Sequence, residues 1–301
     1  MRLASFGPPG AERPAVLAED GTVLPLDPLL ARYAVSGDMC TVLGLLPVLG
    51  VEIAEFARRG GPGIPPSELR LGPPVPRPRQ IVMLGANYRS HIVESSVSGG
   101  VPPSKPMLVG KAPSTLVGPR DDIIRPRETE QLDYEVELVV VIGRTGRRIP
   151  AERARRHIAG YLVANDVTAK DEMLGDFATI PFYLQLFRGK NFDTFLPTGP
   201  WLTTADEIAD PSALRVWLSV NGEPRMDCPT KDMVSGVDEV VAEVSGVVTL
   251  HPGDLILTGS PPGGGGDFDP PRYLHPGDVV RAGITDLGEI ENTVVDELGR
   301  T

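Results

Sequence analysis

Short apolar runs separated by turn residues dominate this chain, a pattern of strands joined by tight connections rather than of long helices. At the N-terminus, RLASF and RPAVLAEDGTVLPL read as strands, the second turning at Asp20-Gly21. MCTVLGLLPVLG and VEIAEFARRGG then carry helical spacing and end at a glycine pair, where a left-handed cap costs little. The Pro-rich stretch at 72–80 is the natural linker. Residues 1–72 are therefore expected to form a small α+β domain, and residues 73–301 a larger one.

The larger part opens with the apolar run IVMLGANY. QLDYEVELVVVIG is the strongest strand pattern and ends at Gly143, and YLVANDV is another. AERARRHIAG, following Pro150, predicts a short helix. ALRVWLSVNGEPRMD predicts a hairpin about Asn221-Gly222. Val237, Val240, Val241, Val244 and Val248 recur at helical spacing. The pentapeptide LHPGD occurs at 250–254 and again at 274–278, each time ahead of a strand pattern. The expected class is mainly β with some α.

Composition sharpens this picture. With 34 Gly and 32 Pro but no G-x-y period, the chain is turn-rich and not collagenous, and 41% hydrophobic residues suffice for a core. A formal charge of −11 argues against a nucleic-acid partner. No run approaches the roughly 18 apolar residues of a membrane span. The first residues lack the apolar segment of a signal peptide. Cys40 and Cys228 form no metal-binding spacing. A reduced, cytoplasmic protein is the expectation.

Three acids interrupt apolar strand patterns. Glu135 and Glu137 stand two apart, so a strand would point both to one face, and Val139 and Val141 continue that face as an apolar one. Adjacent carboxylates entering a buried surface repel unless a cation or proton intervenes, although a strand end emerging into water would accommodate them too. Asp166, in YLVANDV, adds a third oxygen donor. Such a set suits Mg²⁺ or Mn²⁺, with Ca²⁺ as a further fit, better than zinc. His91 and Glu94 form H-x-x-E, one helical turn apart, a spacing that lets a carboxylate orient an imidazole as a base or simply places two solvated side chains together. Lys190 in FRGKNFDTF would stabilise a developing oxyanion if it faces a cavity, and is otherwise a surface charge. The run LTGSPPGGGG offers backbone N–H groups to an anion or is a flexible turn. His157, His251 and His275 read as structural.

Taken in order, GANYRSHIVES, KAPSTLVGP, LDYEVELVVVIG, GYLVANDVTAKD, RGKNFDTFLPTGPW, VNGEPRMD and PGDLILTGSPPG resemble the fumarylacetoacetate hydrolase family over about residues 81–295. The resemblance implies a mixed β-sandwich roll, a divalent metal and a homodimer. It implies Glu135, Glu137 and Asp166 as ligands, and His91 with Glu94 as the pair activating water. Lys190 and Thr258 would lie beside substrate. At two substrate-facing positions the family pattern has Arg and Gln where this chain has Lys170 and Met173. Lysine lacks the planar two-pronged contact of arginine, and methionine offers no amide.

The implied activity is metal-dependent hydrolysis of a carbon–carbon bond in a 1,3-diketone or acylpyruvate-type 2-oxo acid. Decarboxylation, isomerisation or dehydration of a 2-oxo acid through the same enolate is an alternative, as is a protein that binds a small acidic metabolite without turning it over.

Overall fold

Every residue of Val136–Ile142 is buried, and the strand's two faces enter two different apolar clusters. That explains an unbroken Val/Leu/Ile run where a half-exposed strand would alternate. The computed structural model describes residues 1–94, 101, 103–180 and 183–298. Its strands are β1 Arg2–Phe6, β2 Arg13–Leu17, β3 Val23–Pro25, β4 Ile81–Gly85, β5 Met107–Lys111 and β6 Leu116–Val117. They continue as β7 Ile123–Arg125, β8 Leu132–Asp133, β9 Val136–Ile142, β10 Ile158–Asn165, β11 Thr168–Ala169 and β12 Leu196–Thr204. The last are β13 Arg215–Val220, β14 Glu223–Pro229, β15 Leu255–Leu257, β16 Val279–Ile284 and β17 Gly288–Asp296. The helices are α1 Asp27–Ala31, α2 Met39–Arg59, α3 Arg89–Glu94, α4 Lys170–Leu174, α5 Leu186–Lys190 and α6 Val237–Val247.

A large mixed sheet runs β3-β2-β1-β12-β10-β9-β15-β4-β5, with β6 beside β12, and a second sheet runs β14-β13-β16-β17-β7. Val136, Leu138, Val140 and Ile142 share a cluster with Val216, Leu218, Val280 and Ile284 of the second sheet. Val139 and Val141 share the other with Val42, Leu43 and Ile53 of α2. The protein is thus mainly β with some helix, as its sequence predicts. Strand β1 pairs with β12, so the segment before residue 72 is joined to the large sheet and to its core.

Several local expectations change. The two helical segments at 39–61 form one helix, α2, which runs through Pro47. It is the one helix among the described residues long and apolar enough to cross a membrane, with mean hydropathy 1.7. Its Met39, Val42, Leu43, Leu49, Ile53 and Ala57 are buried within the protein, and 28% of its apolar window is buried in all. Residues 151–157 form a 3₁₀ helix rather than an α-helix. The Asn221-Gly222 hairpin forms with both residues at positive φ, as a two-residue loop between right-twisted strands requires. The two LHPGD copies build the same turn: the His251 and His275 N–H groups each donate to the aspartate three residues on, at 2.7 Å.

Close sheet packing makes Gly160 a sensitive position. A β-carbon there would overlap the carbonyl oxygen of Thr203 on β12, whereas one at Gly246, on α6, would meet open space. Gly160→Ala is expected to lower stability by about 1–3 kcal/mol. Gly246→Ala is expected to leave it unchanged or raise it by about 0.5–1 kcal/mol. Equal denaturation midpoints for the two variants would contradict this packing.

Candidate metal centre and its cavity

The antiparallel pairing of β9 and β10 puts Asn165 opposite Val136 and Ala164 opposite Glu137. Asp166 therefore falls opposite Glu135, and its N–H donates to the Glu135 carbonyl oxygen at 2.8 Å. Glu135 lies one residue ahead of β9 rather than on it, yet it and Glu137 still project toward Asp166. One oxygen from each carboxylate lies within 4.8 Å of the other two. Glu137 and Asp166 are almost wholly buried, so the strand end does not emerge into water.

Three lysines interleave with these acids. Lys190 Nζ, at the end of α5, lies 2.7 Å from Glu135 Oε2 and 2.6 Å from Asp166 Oδ2. Lys170 Nζ, from the first turn of α4, lies 3.3 Å from Glu135 Oε1 and 3.4 Å from Asp133 Oδ2. Lys111, which ends β5, is fully buried and donates to Asp166 Oδ1 at 2.6 Å and to the Lys190 carbonyl oxygen. Burial acts to raise the Glu135 carboxyl, but Lys190 and Lys170 outweigh it and hold the group well below the ordinary carboxylate range. At Glu137 the balance falls the other way: burial, then the Asp166 charge, outweighs Lys190 and pushes the carboxyl well up. Burial also pulls the Lys111 ammonium down, with Asp166 opposing it. For Lys190 the same burial penalty is exceeded by Asp166 and Glu135, and its pKa rises.

The glycine-rich loop binds anions that belong to the protein itself. The Gly259 N–H donates to Glu137 Oε2 at 2.6 Å. Those of Gly265 and Gly266 donate to the two oxygens of Asp133 at 2.6 and 3.1 Å. A β-carbon at Gly265 would sit 2.9 Å from Asp133 Oδ1, so the run keeps the backbone close to this buried carboxylate.

Above the acids opens a cavity of about 270 Å³, whose lining includes Glu135, Asp166, Lys170, Met173, Lys190 and His91. A larger groove of about 990 Å³ runs along α2, but none of the three clustered carboxylates faces it. Convergent buried charge marks the smaller cavity as the chemical site. His91 Nδ1 lies 3.9 Å from Asp267 Oδ2. Glu94 closes α3, and its side chain lies outside the described residues. Thr258 is not at the cavity wall: it is fully buried and its hydroxyl donates to the Leu138 carbonyl oxygen at 2.9 Å, while Ser260, two residues on, lines the cavity. Lys111, Asp133 and Asp267 are additions that motif spacing did not single out.

Residues 80–295 match the fumarylacetoacetate (FAA) hydrolase C-terminal family. The chain belongs to the fumarylacetoacetate hydrolase family. It is 38% identical to the mitochondrial oxaloacetate tautomerase FAHD2A of Bos taurus over 309 residues, covering 98% of this chain and 92% of that protein. Among solved structures of the fold, a probable 2-hydroxyhepta-2,4-diene-1,7-dioate isomerase from Mycobacterium abscessus is 39% identical with a TM-score of 0.81, covering 99% of both chains. Maleylpyruvate hydrolase from Sphingobium sp. SYK-6, in complex with manganese(II) and pyruvate, is 30% identical with a TM-score of 0.78, covering 98% of this chain and 99% of that one. Fumarylacetoacetate hydrolase family membership makes this chain an enzyme of hydrolase or isomerase type.

Proposed function

We propose that this protein hydrolyses a carbon–carbon bond in an acylpyruvate-type 2,4-dioxo acid, with a divalent cation held by Glu135, Glu137 and Asp166. One observation carries the reading. Asp133, Glu135, Glu137, Asp166 and Asp267 set five carboxylates against the three ammonium groups of Lys111, Lys170 and Lys190. With Glu137 ionised along with the other four, the surplus is two negative charges in a largely buried site, which one divalent cation would balance. The donors are all oxygen, which suits Mg²⁺ or Mn²⁺, and the manganese in the maleylpyruvate hydrolase supports that choice. Bound there, the ion would supply Lewis acidity to a substrate carbonyl.

The chain's own groups do the remaining work. His91, at the cavity wall with its Nδ1 3.9 Å from Asp267 Oδ2, takes a proton from water. The water oxygen adds to the acyl carbon, and the bond from that carbon to the methylene breaks. The acyl part leaves as a carboxylic acid, and the enolate of pyruvate takes up a proton. Lys190 points its ammonium at the same corner and stabilises the negative oxygen through both stages. A second reading, keto–enol tautomerisation of a 2-oxo acid, is supported by the Bos taurus relative's name. It needs the same base but no water.

Turnover of 2,4-dioxo acids and oxaloacetate in ¹⁸O-water separates the two. With Mn²⁺ or Mg²⁺, cleavage is expected to place one solvent oxygen in the released acid, and EDTA is expected to stop it. Enol–keto conversion without cleavage would establish the tautomerase instead, and turnover indifferent to EDTA would remove the metal from the reading.

A further inference from the structure

The cavity's charged lining consists of Glu135, Asp166, Lys170, Lys190 and Asp267. Ile92, Met107, Val109, Met173, Leu184 and Leu186 add apolar surface to the lining. No arginine lines the cavity among the described residues, and its two lysines are both already paired with carboxylates. The other polar side chains are the neutral Ser260 and Tyr273, besides His91, while Asp267 adds negative charge. Met173 is seated firmly: a β-carbon at Gly189 would overlap it, so α5 packs directly against this side chain.

Charge balance points the same way. A divalent cation held by Glu135, Glu137 and Asp166 would cancel the site's surplus and, with Lys190, would supply positive charge for the carboxylate of a 2-oxo acid. A second carboxylate on the acyl arm would enter an already neutralised, largely apolar space where the described residues offer no unpaired lysine or arginine to meet it. We propose that the cavity selects 2,4-dioxo acids whose acyl arm is an uncharged alkyl or aryl group, and rejects the same acids ending in a second carboxylate. The inference rests on the reading of the site given above. It separates this protein from relatives named for oxaloacetate, maleylpyruvate and a heptadiene dioate.

The test compares two dioxo acids of equal length, one with a pentyl arm and one with an arm ending in carboxylate, on the Mn²⁺-loaded full-length protein. The pentyl compound is expected to show kcat/KM at least about ten-fold higher. From methyl to pentyl, kcat/KM should rise roughly four-fold per methylene until the cavity is full. Met173→Arg should raise kcat/KM for the carboxylate-ended acid and lower it for the pentyl acid. Met107→Arg, at a more exposed wall position, makes the same test where the first variant does not fold. Equal turnover, or preference for the second carboxylate with metal-dependent cleavage intact, overturns the selectivity and leaves the reaction standing. If neither acid is cleaved, the reaction falls instead. The shift in melting temperature each acid produces then decides the arm: a larger shift with pentyl supports the proposal, and an equal, smaller or absent one overturns it.

Discussion

Glu137→Gln is expected to abolish metal-dependent stabilisation and turnover together while leaving the apoprotein at least as stable as the wild type. The side chain is 1% exposed, and the Gly259 N–H holds one of its oxygens. Glutamine has the same shape and keeps an oxygen to accept that bond, so the change removes a charge and little else. That charge is one of the three that would hold the ion. Its loss halves the surplus of two negative charges that a divalent cation balances. In the wild type, a metal at one hundred times its Kd should add about 2.7 kcal/mol to unfolding, and in the variant close to nothing. Without metal the sign reverses. Burial and the neighbouring Asp166 charge disfavour an ionised Glu137, so a neutral amide relieves the apoprotein. Melting curves in EDTA and in excess Mn²⁺, with bound metal measured by elemental analysis, check both halves. Full metal stoichiometry in the variant would remove Glu137 from the ligand set.

The three clustered acids were legible because two local rules suffice for them. Residues two apart on an extended chain share a side, which aligns Glu135 with Glu137, and an acid ending an apolar strand places Asp166. Only the pairing of β9 with β10 showed that Asp166 lies opposite Glu135. Lys111 was not legible. A lysine ending MLVGK reads as an ordinary surface cation, and it meets Asp166 because β5 pairs with β4 and β4 lies parallel to β15 beside β9. Its signal was a charge closing an otherwise uncharged strand. Asp133 was not legible for a related reason: the glycine run reads as a cradle for a foreign anion or as a flexible turn, whereas the Gly265 and Gly266 N–H groups hold this buried carboxylate. Thr258 shows the limit of carrying a motif across without geometry. Its hydroxyl is spent on the Leu138 carbonyl oxygen, and the residue facing the cavity is Ser260. Element types were read more easily than continuity, since a proline within an apolar pattern suggests a break where α2 continues.

Lys190→Met is expected to lower kcat by about 10²–10³-fold while bound metal and fold persist. Lys190 is 7% exposed on its side chain and contacts both Glu135 and Asp166, so it lies between the two acids and borders the cavity. Two roles are consistent with that position, and they separate cleanly. If the ammonium stabilises the oxygen that becomes negative during reaction, its loss acts on kcat, because that charge exists in the transition state and not in the resting substrate. If it only props the carboxylates apart, its loss acts on metal occupancy and stability first. Methionine fills a similar volume without charge, and Lys111 still donates to Asp166 in its absence, so the acid is not left unpartnered. Glu135 keeps Lys170 at 3.3 Å for the same reason. Metal titration and steady-state kinetics on one preparation decide between the roles. A kcat loss at unchanged metal affinity assigns Lys190 to the reacting oxygen, whereas a variant that recovers full kcat at saturating Mn²⁺ makes it a positioning residue for the two acids.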